Sequence, residues 1–156
     1  MRFVVGPESA DSAGARSLIA AAQDELNRRY GPNADSEHLE MAELEPPRGS
    51  FVVAREDGQL AGGVGVRSIG AEELRLGEVK RLWVRPDLRG SGVAAILMER
   101  VCDVAAGLGM VRLYLETGPA QPEAEAFYRK IGWEQVGRFP DGIFSYPLGI
   151  KFTRDL

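Results

Sequence analysis

A chain of 156 residues, 44% hydrophobic and 27% charged, has the size and balance of one globular domain, 1–156, around one core. A net charge of −4 with dispersed basic residues speaks against a nucleic-acid binder. No apolar run approaches the roughly 20 residues of a membrane-spanning helix, the first residues lack the apolar core of a secretory signal, and the expectation is a cytoplasmic protein with no membrane partner.

In chain order, Phe3-Val4-Val5 predicts a short first strand. From Ser9 to Tyr30, Ala15, Leu18, Ile19, Ala22 and Leu26 recur at helical spacing, and Gly31-Pro32 ends the helix. Residues 33–47 are polar and acidic, a loop or a short second helix. Phe51–Arg55 and Leu60–Val66 read as strands joined by the tight-turn pair Asp57-Gly58. Gly62, Gly63 and Gly65 weaken the second of them unless another group approaches closely or a bulge is present. Glu78–Val84 is a further strand, stopped by Pro86. Val93–Leu108 is a helix, Arg112–Glu116 a strand, Glu123–Ile131 a helix, and Trp133–Val136 and Phe144–Lys151 are closing strands. This order implies an α+β fold: a mixed, mostly antiparallel central sheet of about six to seven strands with helices on both faces. On the Glu78–Val84 strand, strict alternation puts Glu78, Lys80 and Leu82 on one face and Val79, Arg81 and Trp83 on the other. Charges on both faces suit a strand that borders a wet cleft, or one whose exposed end pairs its charges with nearby acids.

Several chemistries are disfavoured by composition. Cys102 is the sole cysteine and His38 the sole histidine, so no internal disulfide and no His/Cys metal cluster is expected. No Gly-x-Ser-x-Gly elbow is present for a Ser-His-Asp triad. The informative segment is Arg89-Gly90-Ser91-Gly92-Val93-Ala94, where a strand and a short loop lead into a helix start. Glycines there leave backbone N–H groups free to face an anion, the helix dipole adds partial positive charge, and Arg89 adds a full one. A P-loop is excluded because no Gly-Lys-Ser/Thr follows. A Rossmann turn remains a rival, since Gly90-Ser91-Gly92-Val93-Ala94-Ala95 fits Gly-x-Gly-x-x-Ala. Against it, five residues separate Val84 from Gly90, and a hairpin lies upstream.

The same segment resembles the pyrophosphate loop of the GNAT superfamily of N-acetyltransferases, whose motif is Arg/Gln-x-x-Gly-x-Gly/Ala. A second resemblance is Tyr128 on a late helix, four residues before Gly132-Trp133. The element order resembles the family over nearly the whole chain. The resemblance implies acetyl-CoA as co-substrate and no metal. Its pyrophosphate would lie on Arg89, Gly90, Ser91, Gly92, Val93 and Ala94, and its pantetheine arm along the backbone of Leu82, Trp83 and Val84. A bulge amide on that strand would polarise the thioester carbonyl. It also implies Glu78 as general base for an amine acceptor and Tyr128 as proton donor to the leaving thiolate. Bland readings stand beside these: Glu78 as a structural ion pair with Lys80 or Arg81, Tyr128 as a core aromatic. Glu116 is an alternative base. Many family members carry an Asn after the fifth strand; here Gln121 is the candidate substitute. The implied activity is acetyl transfer to a primary amine of a small or amino-acid-like acceptor. A protein lysine or N-terminal acetyltransferase and a non-catalytic acyl-CoA sensor are the alternatives. Dimers are common in the family, but no segment here demands a homodimer.

Overall fold

The computed structural model describes residues 2–156. Seven strands form one sheet: β1 (Val4–Glu8), β2 (Gly49–Glu56), β3 (Gln59–Ile69), β4 (Leu76–Val84), β5 (Arg112–Thr117), β6 (Glu134–Val136) and β7 (Ile150–Asp155). Their order is β1-β2-β3-β4-β5-β7-β6, and only β4 and β5 run parallel. The helices are α1 (Ala13–Tyr30), α2 (Val93–Gly107) and α3 (Pro122–Lys130). No helix among the described residues is long and apolar enough to cross a membrane.

Local chemistry sets the boundaries. The α1 helix begins after Ser12, whose Oγ accepts from the Ala15 amide at 3.1 Å, and ends at Gly31. Asp57 and Gly58 both take positive φ (50° and 79°), as a two-residue hairpin turn between β2 and β3 requires. Residues 33–47 hold two 3₁₀ turns, Ser36–His38 and Met41–Leu44, and Leu44 is fully buried.

Two apolar layers sandwich the sheet. Leu97, Met98 and Val101 of α2 and Tyr128 of α3 pack on Val52, Val64, Val66, Leu113 and Phe152. On the opposite face, Ala15 and Leu18 of α1 pack with Leu44, Phe51 and Val53. Gly63 and Gly65 of β3 serve that second layer. A Cβ on Gly63 would lie 2.8 Å from the Phe51 ring and 3.0 Å from Leu18, and one on Gly65 would lie 2.9 Å from Leu44.

Two expectations need correction. The last strand is Ile150–Asp155, not Phe144–Lys151. Pro140, Gly142, Pro147 and Gly149 interrupt any ladder before it, so residues 137–149 form an irregular strap. Alternation along β4 also fails. Gly63 pairs with Trp83 while Gly65 pairs with Lys80, so Arg81 and Leu82 together oppose Val64. This one-residue bulge reverses the side-chain parity beyond it. Val79 and Leu82 therefore face the α2 layer, and Trp83 packs with the α1 layer.

Candidate active site

Parallel pairing of β4 and β5 stops at Glu78 opposite Tyr114. Beyond that point the strands part, and a cavity of about 550 Å³ opens between them. Its β4 wall runs from Val79 through the bulge to Val84; its far wall is Leu115, Thr117 and the inner face of α3. Strand edges facing this gap carry backbone groups that no neighbouring strand engages.

The cavity ends at the start of α2. Leu88 and Val93 are buried and pin the intervening loop from below. Gly90 and Gly92 have φ of 87° and 94°, and a Cβ at either would stand in open space. Their amides, and those of Ala94 and Ala95, have no partner among the described residues. Four free N–H groups at the positive end of a fifteen-residue helix fit a pyrophosphate. Ser91 and Val93 contribute differently from Gly90, Gly92 and Ala94. Ser91 Oγ stands 3.4 Å from the Val93 amide, and Val93 itself belongs to the core. Arg89 lines the cavity, donating to Glu25 at 2.8 Å and to the Val84 carbonyl at 3.0 Å, with its guanidinium 6.0 Å from the Trp83 ring. Leu82, Trp83, Val84 and Gln121 line the same space.

Tyr128 reaches the cavity from α3, packed against Phe152 with ring centroids 5.7 Å apart. Burial raises its phenol above the ordinary value, so it is protonated at neutral pH. Its hydroxyl has no hydrogen-bond partner among the described residues and is free to donate to a ligand.

A second cavity, about 420 Å³, adjoins the first and shares Asp35, Lys80, Glu116, Thr117 and Gln121 with it. Leu26, Tyr30, Pro119 and Leu148 give it an apolar lining. Glu116 stands where the two meet. Its carboxylate accepts from the Tyr146 amide at 3.0 Å and pairs with Lys151 at 3.3 Å. Burial raises the Glu116 carboxyl above the usual glutamate value, and Lys151 and the Tyr146 amide only partly offset this. Gln121 Oε1 accepts from Tyr30 at 3.2 Å and Thr117 at 3.3 Å, closing the wall between the cavities.

Glu78 lies elsewhere. It is 3% exposed, borders neither cavity, and accepts from Arg67 at 2.9 and 3.3 Å, with Lys80 3.9 Å away. Arg67 also holds Glu43 and the His38 carbonyl. The ion pair includes Lys80, as one reading anticipated, but its main partner is Arg67, eleven positions away across the β3–β4 ladder. Asp35, Tyr146 and Lys151 were not legible as site residues. They come from three segments whose convergence no spacing announces.

Comparison with known proteins places this geometry. Residues 16–133 match the family model described as Acetyltransferase (GNAT) family. An IAA acetyltransferase of Azospirillum brasilense is 40% identical over 119 residues, covering 74% of this chain and 76% of that protein. A putative acyl-CoA N-acyltransferase from Klebsiella pneumoniae superposes with a TM-score of 0.78 at 24% identity, covering 99% of this chain and 97% of that one. A GNAT family acetyltransferase from Elizabethkingia anophelis with acetyl-CoA bound superposes with a TM-score of 0.70 at 16% identity, over 99% of each. The parted β4 and β5 strands, the glycine cradle at α2 and the matched family model converge: this chain belongs to the GNAT family of acetyltransferases and is an acyltransferase.

Proposed function

We propose that the protein transfers an acetyl group from acetyl-CoA to the primary amine of a small, amino-acid-like acceptor by direct attack. One arrangement supports this reading: two cavities meet at Glu116, one ending at the free amides that open α2 and the other lined by Leu26, Tyr30, Pro119 and Leu148 beside the polar Asp35, Lys80 and Thr117. Acetyl-CoA supplies the activated acetyl group. The amides of Gly90, Gly92 and Ala94 with Arg89 would hold its pyrophosphate, and the backbone of Leu82, Trp83 and Val84 its pantetheine arm. An amide at the Arg81–Leu82 bulge, left without a ladder partner, would polarise the thioester carbonyl.

The base role expected of Glu78 falls in this proposal to Glu116. An alkylamine with a pKa near 10.4 is almost wholly protonated at neutral pH and must lose a proton before it attacks. Glu116 borders the acceptor cavity, and its raised carboxyl is the better base; Glu78 is enclosed and held by Arg67. Glu116, directly or through water, takes the ammonium proton before attack and passes it to solvent. As the C–N bond forms and the C–S bond breaks, the second N–H proton leaves by the same route. Tyr128 donates to the departing sulfur and regains from solvent the proton it gives up. The acceptor cavity favours a compact amine with an apolar body, and its volume suits one ring and a short chain better than a polycation.

The test is thermal denaturation with acetyl-CoA, CoA, NAD and ATP side by side, on the wild type and on Arg89→Glu with Gly92→Val. Stabilisation by the two CoA species, lost in the double variant, supports the reading. An amine panel then follows. Stabilisation by NAD and not by CoA would point to the dinucleotide turn instead and sink the proposal.

A further inference from the structure

We propose that Asp35 is a positioning residue: its carboxylate holds Arg81, and through Arg81 it fixes the β4 bulge that supplies the carbonyl-polarising amide. The inference rests on the acetyl-CoA reading above and adds to it a residue 54 positions before Arg89 in the chain and outside any motif.

Arg81 is an unusual residue to find at this point. Its φ of 60° is in the left-handed region, which a side chain bearing a Cβ disfavours. Its side chain is only 4% exposed, so its charge needs a partner. Asp35 is its carboxylate partner: Nη1 donates to Oδ2 at 2.8 Å and Nη2 to the Asp35 backbone carbonyl at 3.0 Å. Asp35 is itself left-handed, with φ of 59°. Lys80 donates to the same Oδ2 at 2.6 Å, and the Tyr146 hydroxyl donates to Oδ1 at 2.8 Å. One carboxylate of the 33–47 segment thus ties Lys80, the first bulge residue Arg81 and the 137–149 strap together. Glu78 lies 3.9 Å from Lys80, but it is already engaged by Arg67. Without the Asp35 charge, Arg81 would be a buried cation on a disfavoured backbone. The bulge would then relax toward regular pairing with β3, which withdraws the amide from the gap.

A role confined to loop anchoring would leave the bound carbonyl unchanged, so the carbonyl is the readout. The thioester stretch of 13C-carbonyl-labelled acetyl-CoA is measured by isotope-edited infrared spectroscopy, bound to the full chain at saturation. Binding to the wild type is expected to lower the frequency relative to free acetyl-CoA. Asp35→Asn is expected to bind acetyl-CoA within about threefold of wild type, yet to return the carbonyl toward its free position. It should also lower kcat for acetyl transfer to the best amine by about a hundredfold, the effect of losing one such donor. Glycine accepts positive φ freely. Arg81→Gly therefore removes the need for the ion pair, and Asp35→Asn in that background should recover the lowered frequency. The double variant also keeps the proposal testable if Asp35→Asn alone does not fold. An Asp35→Asn protein with the full wild-type shift overturns the inference, as does a double variant that fails to recover it. A wild type that acetyl-CoA does not stabilise would instead sink the acetyl-CoA reading itself.

Discussion

In the proposed reaction single carboxylates and hydroxyls carry the chemistry, and their surroundings set what each can do. Glu116→Gln is expected to lower kcat/KM for the best amine by about a hundredfold or more, while acetyl-CoA stabilisation stays unchanged. The pH profile checks the assignment. A base works only when deprotonated, so its contribution grows as pH rises through its pKa. Because burial raises Glu116, that rise lies above the ordinary glutamate value of about 4.3, and Gln should remove it. Tyr128→Phe should reduce turnover by about ten- to a hundredfold without weakening acetyl-CoA binding, read as a fall in kcat with KM unchanged. Asp35 carries a stability prediction, and its carboxyl shifts in the opposite direction to that of Glu116. Burial pushes its carboxyl up, but Lys80 and Arg81 outweigh this and hold it at about 2, below the usual 3.8. A group depressed in the folded state stabilises above its unfolded pKa and loses that contribution as pH falls through the folded one. Stability should therefore decline between about pH 4 and pH 2, and Asp35→Asn should flatten that part of an acid-denaturation series.

At the scale of elements, β3 and β4 show how glycines and a bulge do different work. Gly63 and Gly65 let Phe51 and Leu44 lie directly on the strand. Gly65→Val should destabilise by about 1–3 kcal/mol through overpacking, measured by urea denaturation. The site should remain intact, because neither glycine borders the cavity between β4 and β5. Ser12→Ala removes the α1 cap and should cost about 1 kcal/mol in the same assay. The glycine-rich pattern in β3 was a readable sign of close approach, although which side chains approach it was not. The β4 bulge was implied by the family resemblance but unreadable in the residues themselves, for a definite reason. Arg81 is neither glycine nor asparagine, so nothing local signals positive φ, and the carboxylate that holds its guanidinium, Asp35, is 46 positions away.

The whole molecule is organised around the separation of β4 from β5, and a ligand there bridges both halves of the sheet together with α2 and α3. Acetyl-CoA at a hundred times its Kd should add about 2.7 kcal/mol of stability by mass action. That is a rise of roughly 5–10 °C in Tm for a domain of this size. Amide hydrogen exchange should slow most in Val79–Val84, Leu115–Thr117 and the first turn of α2. An exchange pattern unchanged across that gap would contradict the placement. The sequence by itself determined the helices, the β2–β3 hairpin, the mixed sheet and the glycine-flanked turn that opens α2. Each of these rests on local information: apolar periodicity, capping and turn residues, and glycines before a helix. It did not determine the last strand, because residues 137–149 carry aromatics that read as a strand and breakers that forbid one. Only the tertiary structure decided which acid stands where the two cavities meet. Glu78 and Glu116 are both acids on central strands. Arg67, brought in by the β3–β4 ladder, encloses the first, and the parting of β4 from β5 leaves the second at the junction of two cavities. Partners of that kind come from long-range pairing of strands and loops, which short-range pattern does not encode.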